Sequence, residues 1–208
     1  MGGRVGEEVE SYRTLVDHSE AQFKRQGSRF IALASAVKQR EHVEAQLAQA
    51  KARYPDATHH CFAYRLLLRG TVEARSSDDR EPLNTAGPPI LRVIEGRELL
   101  NVAVVVVRYF GGTKLGIGGL IRAYSDAAKA ALDEANIVTR VPRVRLKLRY
   151  PNTLTGVVMG VLHRARVDID AVGYEQTPEV RITLPRAQRQ AFEQQLQDAC
   201  SGRVEVLE

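Results

Sequence analysis

The segment that decides the fold spans residues 101–119 and reads Asn101-Val-Ala-Val-Val-Val-Val-Arg-Tyr-Phe-Gly-Gly-Thr-Lys-Leu-Gly-Ile-Gly-Gly119. Its first half is a continuous run of small and β-branched apolar residues, which predicts a strand buried on both faces of a sheet. Its second half is rich in glycine. The alanine-rich residues 120–136 that follow predict a helix. The segment therefore predicts a buried strand, a tight turn and a helix, in that order.

The glycine-rich turn is a candidate anion site, because such a turn directs backbone N–H groups and the positive end of a helix at one place. Lys114 and Arg122 would add positive charge there. The spacing matches neither a Walker A loop, since Ile117 stands where lysine should follow, nor the fingerprint G-x-G-x-x-G. An anion site and a turn that only serves close packing both remain open. The glycines concerned are Gly111, Gly112, Gly116, Gly118 and Gly119.

Outside this segment, the sequence predicts two domains of the α+β class. Towards the N-terminus it predicts strands at 12–17, 28–34 and 59–68, helices at 39–54 and 85–96, and a mobile loop at 69–80. Towards the C-terminus it predicts strands at 143–150, 167–175, 180–184 and 203–207, and helices at 152–165 and 185–199. This β-α-β-β-α-β order is typical of a ferredoxin-like domain. We predict a domain at 1–140, a linker around 141–142 and a domain at 141–208.

The composition excludes several classes of protein. The chain has 208 residues, of which 44% are apolar and 26% charged, and this is ordinary for a globular protein. It has no apolar run of the ~20 residues that span a bilayer, and no apolar leader at its start. Its two cysteines, Cys61 and Cys200, make no disulfide framework. We therefore expect a cytoplasmic protein with no membrane association. The net charge of +5 permits contact with polyanions without requiring it.

Two polar segments are candidates for metal binding or acid–base chemistry. Asp78, Asp79 and Glu81 lie within four residues, but no further ligand stands at a suitable spacing, so a solvated loop is favoured. His59 and His60 are neighbours on a predicted strand and would face opposite ways, which disfavours a shared zinc ion. The sequence predicts no metal site, no cofactor and no catalytic residue.

The first strand of the second domain carries alternating cations. A period of two places all of them on one face of the strand, and like charges side by side indicate an anionic partner such as a nucleic acid. The alternative is pairing with Asp168, Asp170 and Glu205 on neighbouring strands. Aromatic residues for stacking on bases are missing from this face, so sequence-specific recognition is not expected. The cations are Arg143, Arg145, Lys147 and Arg149, and Arg181 and Arg203 could join them.

Three segments in order, 55–64, 78–91 and 105–124, strongly resemble the IMPACT family, and specifically its bacterial YigZ-like branch. The resemblance covers nearly the whole chain. It implies that the first domain has the fold of domain two of ribosomal protein S-five, and that the second is similar to domain V of elongation factor G. Eukaryotic members act in translational control through an additional N-terminal domain, for which this chain has no room. For bacterial members the fold implies binding to RNA or the ribosome.

The resemblance also implies a ligand pocket, with some departures from the family pattern. Arg80 and Asn84 stand where the family has glycine, and Pro88 stands where it has lysine. The pocket would gather the residues that still match, together with Lys114. They are Asp78, Asp79, Glu81, Thr85, Gly87, Arg108, Tyr109, Gly111, Gly112, Gly116, Gly118, Gly119 and Arg122.

Three functions follow from these observations. The first is a non-enzymatic cytoplasmic protein that binds RNA or the ribosome and regulates translation. The second is a module that binds a protein of translation or of the stress response. The third is a binder of a phosphorylated small molecule, or an enzyme acting on one, through the glycine-rich turn.

Overall fold

The structure is a computed structural model, and it describes residues 9–173 and 177–208. Residues 1–8 of the predicted first domain and residues 174–175 of the predicted strand 167–175 lie outside the described residues. The chain divides into two compact units: Tyr12–Arg140 form the first, and Val141–Glu208 belong to the second. Helices and antiparallel sheets occur in both units, so the predicted α+β class is confirmed.

The first unit is built on a five-stranded antiparallel sheet with three helices. Its elements are β1 (Tyr12–Leu15), β2 (Ser19–Arg25), β3 (Ser28–Ala36), α1 (Arg40–Arg53), β4 (His59–Leu68), β5 (Thr71–Ser77), α2 (Gly87–Gly96), β6 (Val102–Tyr109), α3 (Gly116–Asp133) and β7 (Ile137–Arg140). The strand order is β2-β3-β6-β4-β5, and β1 pairs separately with β7.

The central strand β6 is buried on both faces, as its sequence predicts. Val104 and Val106 belong to the core that α2 and α3 form with one face of the sheet. Val105 and Val107 face the other way and pack with residues of β3 and α1. Because both faces of β6 are covered, the apolar run has no polar alternation.

Three strands and one helix start differ from the sequence prediction. The predicted loop 69–80 contains β5, and β2 and β7 form where no strand is predicted. Strands β2 and β5 are the edges of the sheet, and many of their side chains face solvent. Edge strands therefore carry polar residues and lack the apolar pattern by which a strand is recognised. Helix α3 also begins at Gly116, four residues before its predicted start.

The second unit has a four-stranded antiparallel sheet with both helices on one face. Its main elements are β8 (Arg143–Arg149), α4 (Thr155–Ala165), β9 (Asp168–Gly173), β10 (Glu179–Pro185), α5 (Arg189–Cys200) and β11 (Glu205–Leu207), and the strand order is β11-β8-β10-β9. Leu146 and Ile182 belong to a core shared with Leu162 of α4 and Leu196 of α5. None of the helices in the described residues has the length and hydropathy needed to cross a bilayer.

Candidate functional site

A buried cluster of polar side chains lies at one end of the five-stranded sheet. Arg108, near the end of β6, donates from Nη1 to Oε1 of Glu81 at 2.6 Å, and the hydroxyl of Tyr124 donates to the same oxygen at 2.7 Å. The Nη2 atom of Arg108 donates to Oγ of Ser28 at 3.3 Å. The side chains of Arg108 and Glu81 are 5% and 3% exposed. We call Arg108, Glu81, Tyr124 and Ser28 the buried cluster.

Each member of the buried cluster comes from a different element. Ser28 begins β3, Tyr124 lies on the buried face of α3, and Glu81 lies in the turn between β5 and α2. His59 of β4 is directly opposite Arg108 in the sheet, and its Nε2 lies 3.7 Å from Oε1 of Glu81. The cluster therefore ties α3 and the turn to the central strand.

Burial also fixes the protonation of two neighbouring groups. It raises the pKa of the Tyr124 hydroxyl and of the Cys61 thiol far above neutral pH. Cys61 lies on β4, and its Sγ is 3.0 Å from the carbonyl oxygen of Asp78. Both groups stay protonated at pH 7, so Tyr124 acts as a hydrogen-bond donor and Cys61 is not a reactive thiolate.

The two aspartates of the turn bind backbone groups. Oδ1 of Asp78 accepts hydrogen bonds from the backbone N–H groups of Ala86 and Gly87, each at 2.8 Å, at the start of α2. Oδ2 of Asp79 accepts from the backbone N–H of His60 at 2.6 Å. Asp78 thus satisfies N–H groups that the helix leaves open, and Asp79 fastens the turn to β4. In residues 9–173 and 177–208, no three His, Cys, Asp or Glu side chains are grouped so that they could hold a metal ion.

The turn has left-handed backbone at two of the three positions where the sequence departs from the pattern that the resemblance implies. The φ angle is 68° at Arg80 and 62° at Asn84. Glycine adopts this conformation freely, whereas most other residues are strained in it, and asparagine tolerates it better than arginine. The glycines that the family pattern has at these two positions therefore suit this backbone.

Replacing Arg80 with glycine is expected to stabilise the protein by up to about 1 kcal/mol, because relief of left-handed strain exceeds the entropy cost of glycine. Thermal unfolding followed by circular dichroism measures the effect. Asn84→Gly should change the stability less. The control is Ala74→Gly on the exposed face of β5, which should destabilise the protein. A lower melting temperature for Arg80→Gly than for the wild type would contradict the interpretation.

The glycine-rich turn packs closely against the β2–β3 hairpin. A Cβ atom on Gly111 would lie 1.9 Å from the carbonyl carbon of Gly27, so a side chain cannot be accommodated there. The Gly111 N–H donates to Oγ of Ser28 at 3.2 Å. Gly112 and Gly116 have φ angles of 85° and 70°, and Gly118 and Gly119 lie in the first turn of α3. Close packing therefore explains Gly111 without a ligand.

The structure places the remaining predicted pocket residues at several different locations. Thr85 is buried and its hydroxyl donates to the carbonyl oxygen of Pro82 at 2.6 Å, while Gly87 packs against the backbone of Ser77. Tyr109 lies on the opposite face of the sheet from Arg108, where its hydroxyl donates to Asp56. Lys114 and Arg122 are exposed around the start of α3. The buried cluster thus brings Glu81 and Arg108 together and leaves Tyr109 outside.

Sequence reasoning missed Tyr124 and left His59 without a partner. Tyr124 follows Leu120 and Ala123 on the apolar face of α3. A hydroxyl on an otherwise apolar helix face needs a buried hydrogen-bond partner, and this signal could have identified Tyr124.

The cations of the predicted strand lie on the face of the second sheet opposite α4 and α5. We call Arg143, Arg145, Lys147, Arg149 and Arg181 the basic sheet face; the first four lie on β8 and the last on β10. The side chains of β8 alternate between exposed or half-buried cations and buried apolar residues. The face opposite the helices therefore carries the five cations.

Acidic residues pair with most of the basic sheet face. Lys147, Arg149 and Arg181 all contact the Glu179 carboxylate, at 2.9, 3.2 and 3.3 Å, and together they lower its pKa. Arg143 pairs with Asp168, as the alternative interpretation of the sequence anticipated. Glu179, which sequence reasoning missed, is the carboxylate on which three of the cations converge. In the part of the chain that the structure describes, Arg145 has no ion-pair partner.

Comparison with known proteins agrees with the resemblance. The Impact N-terminal domain matches residues 26–132, which is more than half of the chain. The chain is 32% identical to the IMPACT family member YigZ of Escherichia coli, with 86% of this chain and 89% of that protein covered. It is 29% identical to the IMPACT family member YvyE of Bacillus subtilis, with 96% and 92% covered. A crystal structure described as that of a hypothetical protein superposes with a TM-score of 0.70 at 28% identity, with 96% and 97% covered. The chain belongs to the IMPACT family.

Proposed function

We propose that this chain is a non-enzymatic cytoplasmic protein that binds RNA or the ribosome and regulates translation. The observation that carries the proposal is the basic sheet face, which lies on the side of the sheet opposite α4 and α5. Cations held in rows on a sheet can contact successive phosphates of a nucleic acid, and phosphate contacts supply most of the affinity in such complexes.

The proposal extends to the known folds that each unit resembles. We propose that residues 1–140 form a domain with the fold of domain two of ribosomal protein S-five, and that residues 141–208 form a ferredoxin-like domain similar to domain V of elongation factor G. The strand order β11-β8-β10-β9 of the second sheet supports the second relationship. Across this sheet, from β11 to β9, the strands are the fourth, first, third and second of the unit in chain order, and α4 and α5 cover the same face.

The contacts of the buried cluster and of Asp78 in the adjoining turn favour a binding protein over an enzyme. Glu81 is held between Arg108 and Tyr124, and Asp78 is engaged by three backbone N–H groups. Side chains paired in this way stabilise the turn and the end of the sheet. A general acid or base would need access to a substrate, and Glu81 is buried.

Co-sedimentation with ribosomes and with free RNA across a salt series tests the proposal. We expect the logarithm of the affinity to fall linearly with the logarithm of the salt concentration, with a slope of about −0.9 per phosphate contact for a duplex. Arg145→Ala/Lys147→Ala should weaken binding at every salt concentration and reduce the slope by about one to two contacts, since Arg145 has no ion-pair partner among the described residues whereas Lys147 is shared with Glu179.

The matched control is Lys129→Ala/Arg164→Ala, which removes the same two kinds of cation from exposed positions on α3 and α4. This control should sediment as the wild type does. Equal losses in both double variants would show that only net charge matters and would remove the basic sheet face from the proposal. Absence of sedimentation of the wild type at the lowest salt concentration would overturn the proposed function and favour a protein partner.

A further inference from the structure

We propose that Phe110 and the glycine-rich turn form a second contact for RNA, specific for single strands, in which Phe110 stacks on a base and Lys114 and Arg122 bind neighbouring phosphates. This inference rests on the proposed function, since it names a further RNA-binding site in the first unit. It also assigns a role to residues of the turn that close packing does not explain.

Phe110 is an exposed aromatic side chain that the backbone holds firmly. It directly follows β6, and 47% of its surface is exposed. Its backbone N–H donates to Oγ1 of Thr58 at 3.1 Å. The guanidinium carbon of Arg108 lies 5.5 Å from the centre of the Phe110 ring, within the range of a cation–π contact. Because Arg108 is itself fixed in the buried cluster, this contact anchors one side of the ring.

Single exposed apolar side chains are common on protein surfaces, whereas a group of them marks an interaction site. Ile117, in the first turn of α3, is also 66% exposed. Here two such side chains belong to one short segment, since Phe110 directly precedes the glycine-rich turn and Ile117 lies within it. The aromatic ring is the part that suits RNA, since base–aromatic stacking stabilises complexes with single strands and tolerates any sequence.

The charges beside Phe110 fit a phosphate backbone. Lys114 and Arg122 are exposed, and neither has an ion-pair partner among residues 9–173 and 177–208. Arg122 extends along the first turn of α3, with Nη1 3.7 Å from where a Cβ atom of Gly118 would lie. Phe110 and Lys114 are four residues apart, so their Cα atoms are at most about 14 Å apart. About four stacked nucleotides, at 3.4 Å each, cover that distance.

A single strand is the form of RNA that this arrangement recognises. Stacking on a side chain requires a base that is free to leave its own stack, and single-stranded loops and ends provide such bases. The basic sheet face offers cations without aromatic side chains, and it suits a duplex or a folded RNA equally well. The two sites therefore differ in the form of RNA that they prefer, and this difference makes them separable in an experiment.

The chain has no tryptophan, so Phe110→Trp introduces a sole indole at the proposed site. Titration with an eight-nucleotide oligouridylate should quench its fluorescence strongly, because the indole stacks on a base, whereas a blunt RNA duplex of equal length should not. The control is Val72→Trp. Val72 is 39% exposed and pairs with Leu67, near one end of β4, whereas Arg108 is opposite His59 at the other end of that strand. Its fluorescence should not respond to either RNA.

Affinities measured by fluorescence anisotropy complete the test. Phe110→Ala should weaken binding of the oligouridylate about tenfold and leave the affinity for the duplex unchanged. Val72→Ala should bind both RNAs as the wild type does. Lys114→Ala/Arg122→Ala should reduce the salt slope for the single strand by about 1.4, or 0.7 for each lost phosphate contact. Thermal unfolding of each variant checks that the fold is retained.

The outcomes separate this inference from the proposed function. If the wild type binds RNA in a salt-dependent manner and Phe110→Ala binds the oligouridylate equally well, the second site is wrong and the proposed function stands. An indole at position 110 that is quenched equally by the duplex would also overturn the stacking. If the wild type binds neither RNA nor ribosomes at the lowest salt concentration, both proposals are wrong, and the exposed side chains then favour a protein partner.

Discussion

Replacing Arg108 with methionine is expected to lower the free energy of unfolding of the first unit by about 3–5 kcal/mol. Arg108 supplies the positive charge that Glu81 contacts at 2.6 Å, and both side chains are almost completely buried. Methionine fills a similar volume but leaves the carboxylate in a low-dielectric environment, where its remaining side-chain partners among the described residues are the Tyr124 hydroxyl and the more distant His59 ring. A loss of this size should reduce the melting temperature by roughly 10 °C or more.

A double-mutant cycle distinguishes this explanation from a simple packing defect. Arg108→Met/Glu81→Gln removes both charges and should recover most of the stability that Arg108→Met loses, because no buried charge is left unpaired. Thermal unfolding by circular dichroism at neutral pH measures all four proteins. Arg143→Met, which breaks the exposed ion pair with Asp168, is the control and should change the stability by less than about 1 kcal/mol. Additive effects of Arg108→Met and Glu81→Gln would contradict the explanation.

The fold could be predicted from the sequence where burial imposes a pattern. Strand β6 is covered on both faces, and its unbroken apolar run identifies it. Strand β8 has one covered face, and its alternation of cations and apolar residues identifies it equally well. Strands β2 and β5 lie at sheet edges and contact the core with few side chains, so their sequences, SEAQFKR and TVEARSS, resemble loops. Pairing with a neighbouring strand stabilises them, and pairing leaves no mark on local composition.

The buried cluster could be predicted only in part. Arg108 and Glu81 are 27 residues apart, and only the resemblance to the family predicts that they share a pocket. That Tyr109 faces away from Arg108 follows from strand alternation and could have been predicted from the sequence alone. The role of Asp78 could not, because its backbone partners at 84, 86 and 87 depend on the left-handed turn at Asp79, Arg80 and Asn84. Local polarity indicates such a turn but does not specify its conformation.

The second large effect is expected at Glu179, the carboxylate at which three cations of the basic sheet face converge. Its contacts with Lys147, Arg149 and Arg181 neutralise part of the charge that RNA would meet. Glu179→Gln frees these cations and is expected to raise the affinity for RNA about tenfold at low salt. The slope against salt should become steeper by about 0.9 for each additional phosphate contact with a duplex. Anisotropy titrations at several salt concentrations measure both quantities.

Lowering the pH should not imitate this substitution within the usual range of a glutamate. The three cations lower the pKa of Glu179, so the carboxylate stays charged at a pH where an ordinary glutamate is already protonated, and its contacts are lost only below that. We therefore expect no release of Lys147, Arg149 and Arg181 between pH 7 and pH 5. A rise in wild-type affinity over that range that Glu179→Gln does not share would contradict the arrangement described for Glu179.

Glu179 could affect RNA binding in two opposite ways, and the sign of the change separates them. If the carboxylate competes with phosphate, Glu179→Gln strengthens binding, because each cation exchanges one anionic partner for another. If it holds the three side chains in the geometry that RNA requires, the variant binds more weakly, because freed side chains lose rotamer entropy on binding. We expect competition, since the three cations converge on one carboxylate whereas successive phosphates are spread along a strand.

Glu193→Gln on α5 makes the same change in net charge away from the basic sheet face and should bind as the wild type does. Weaker binding by Glu179→Gln, with Glu193→Gln unchanged, would contradict competition and assign Glu179 a positioning role.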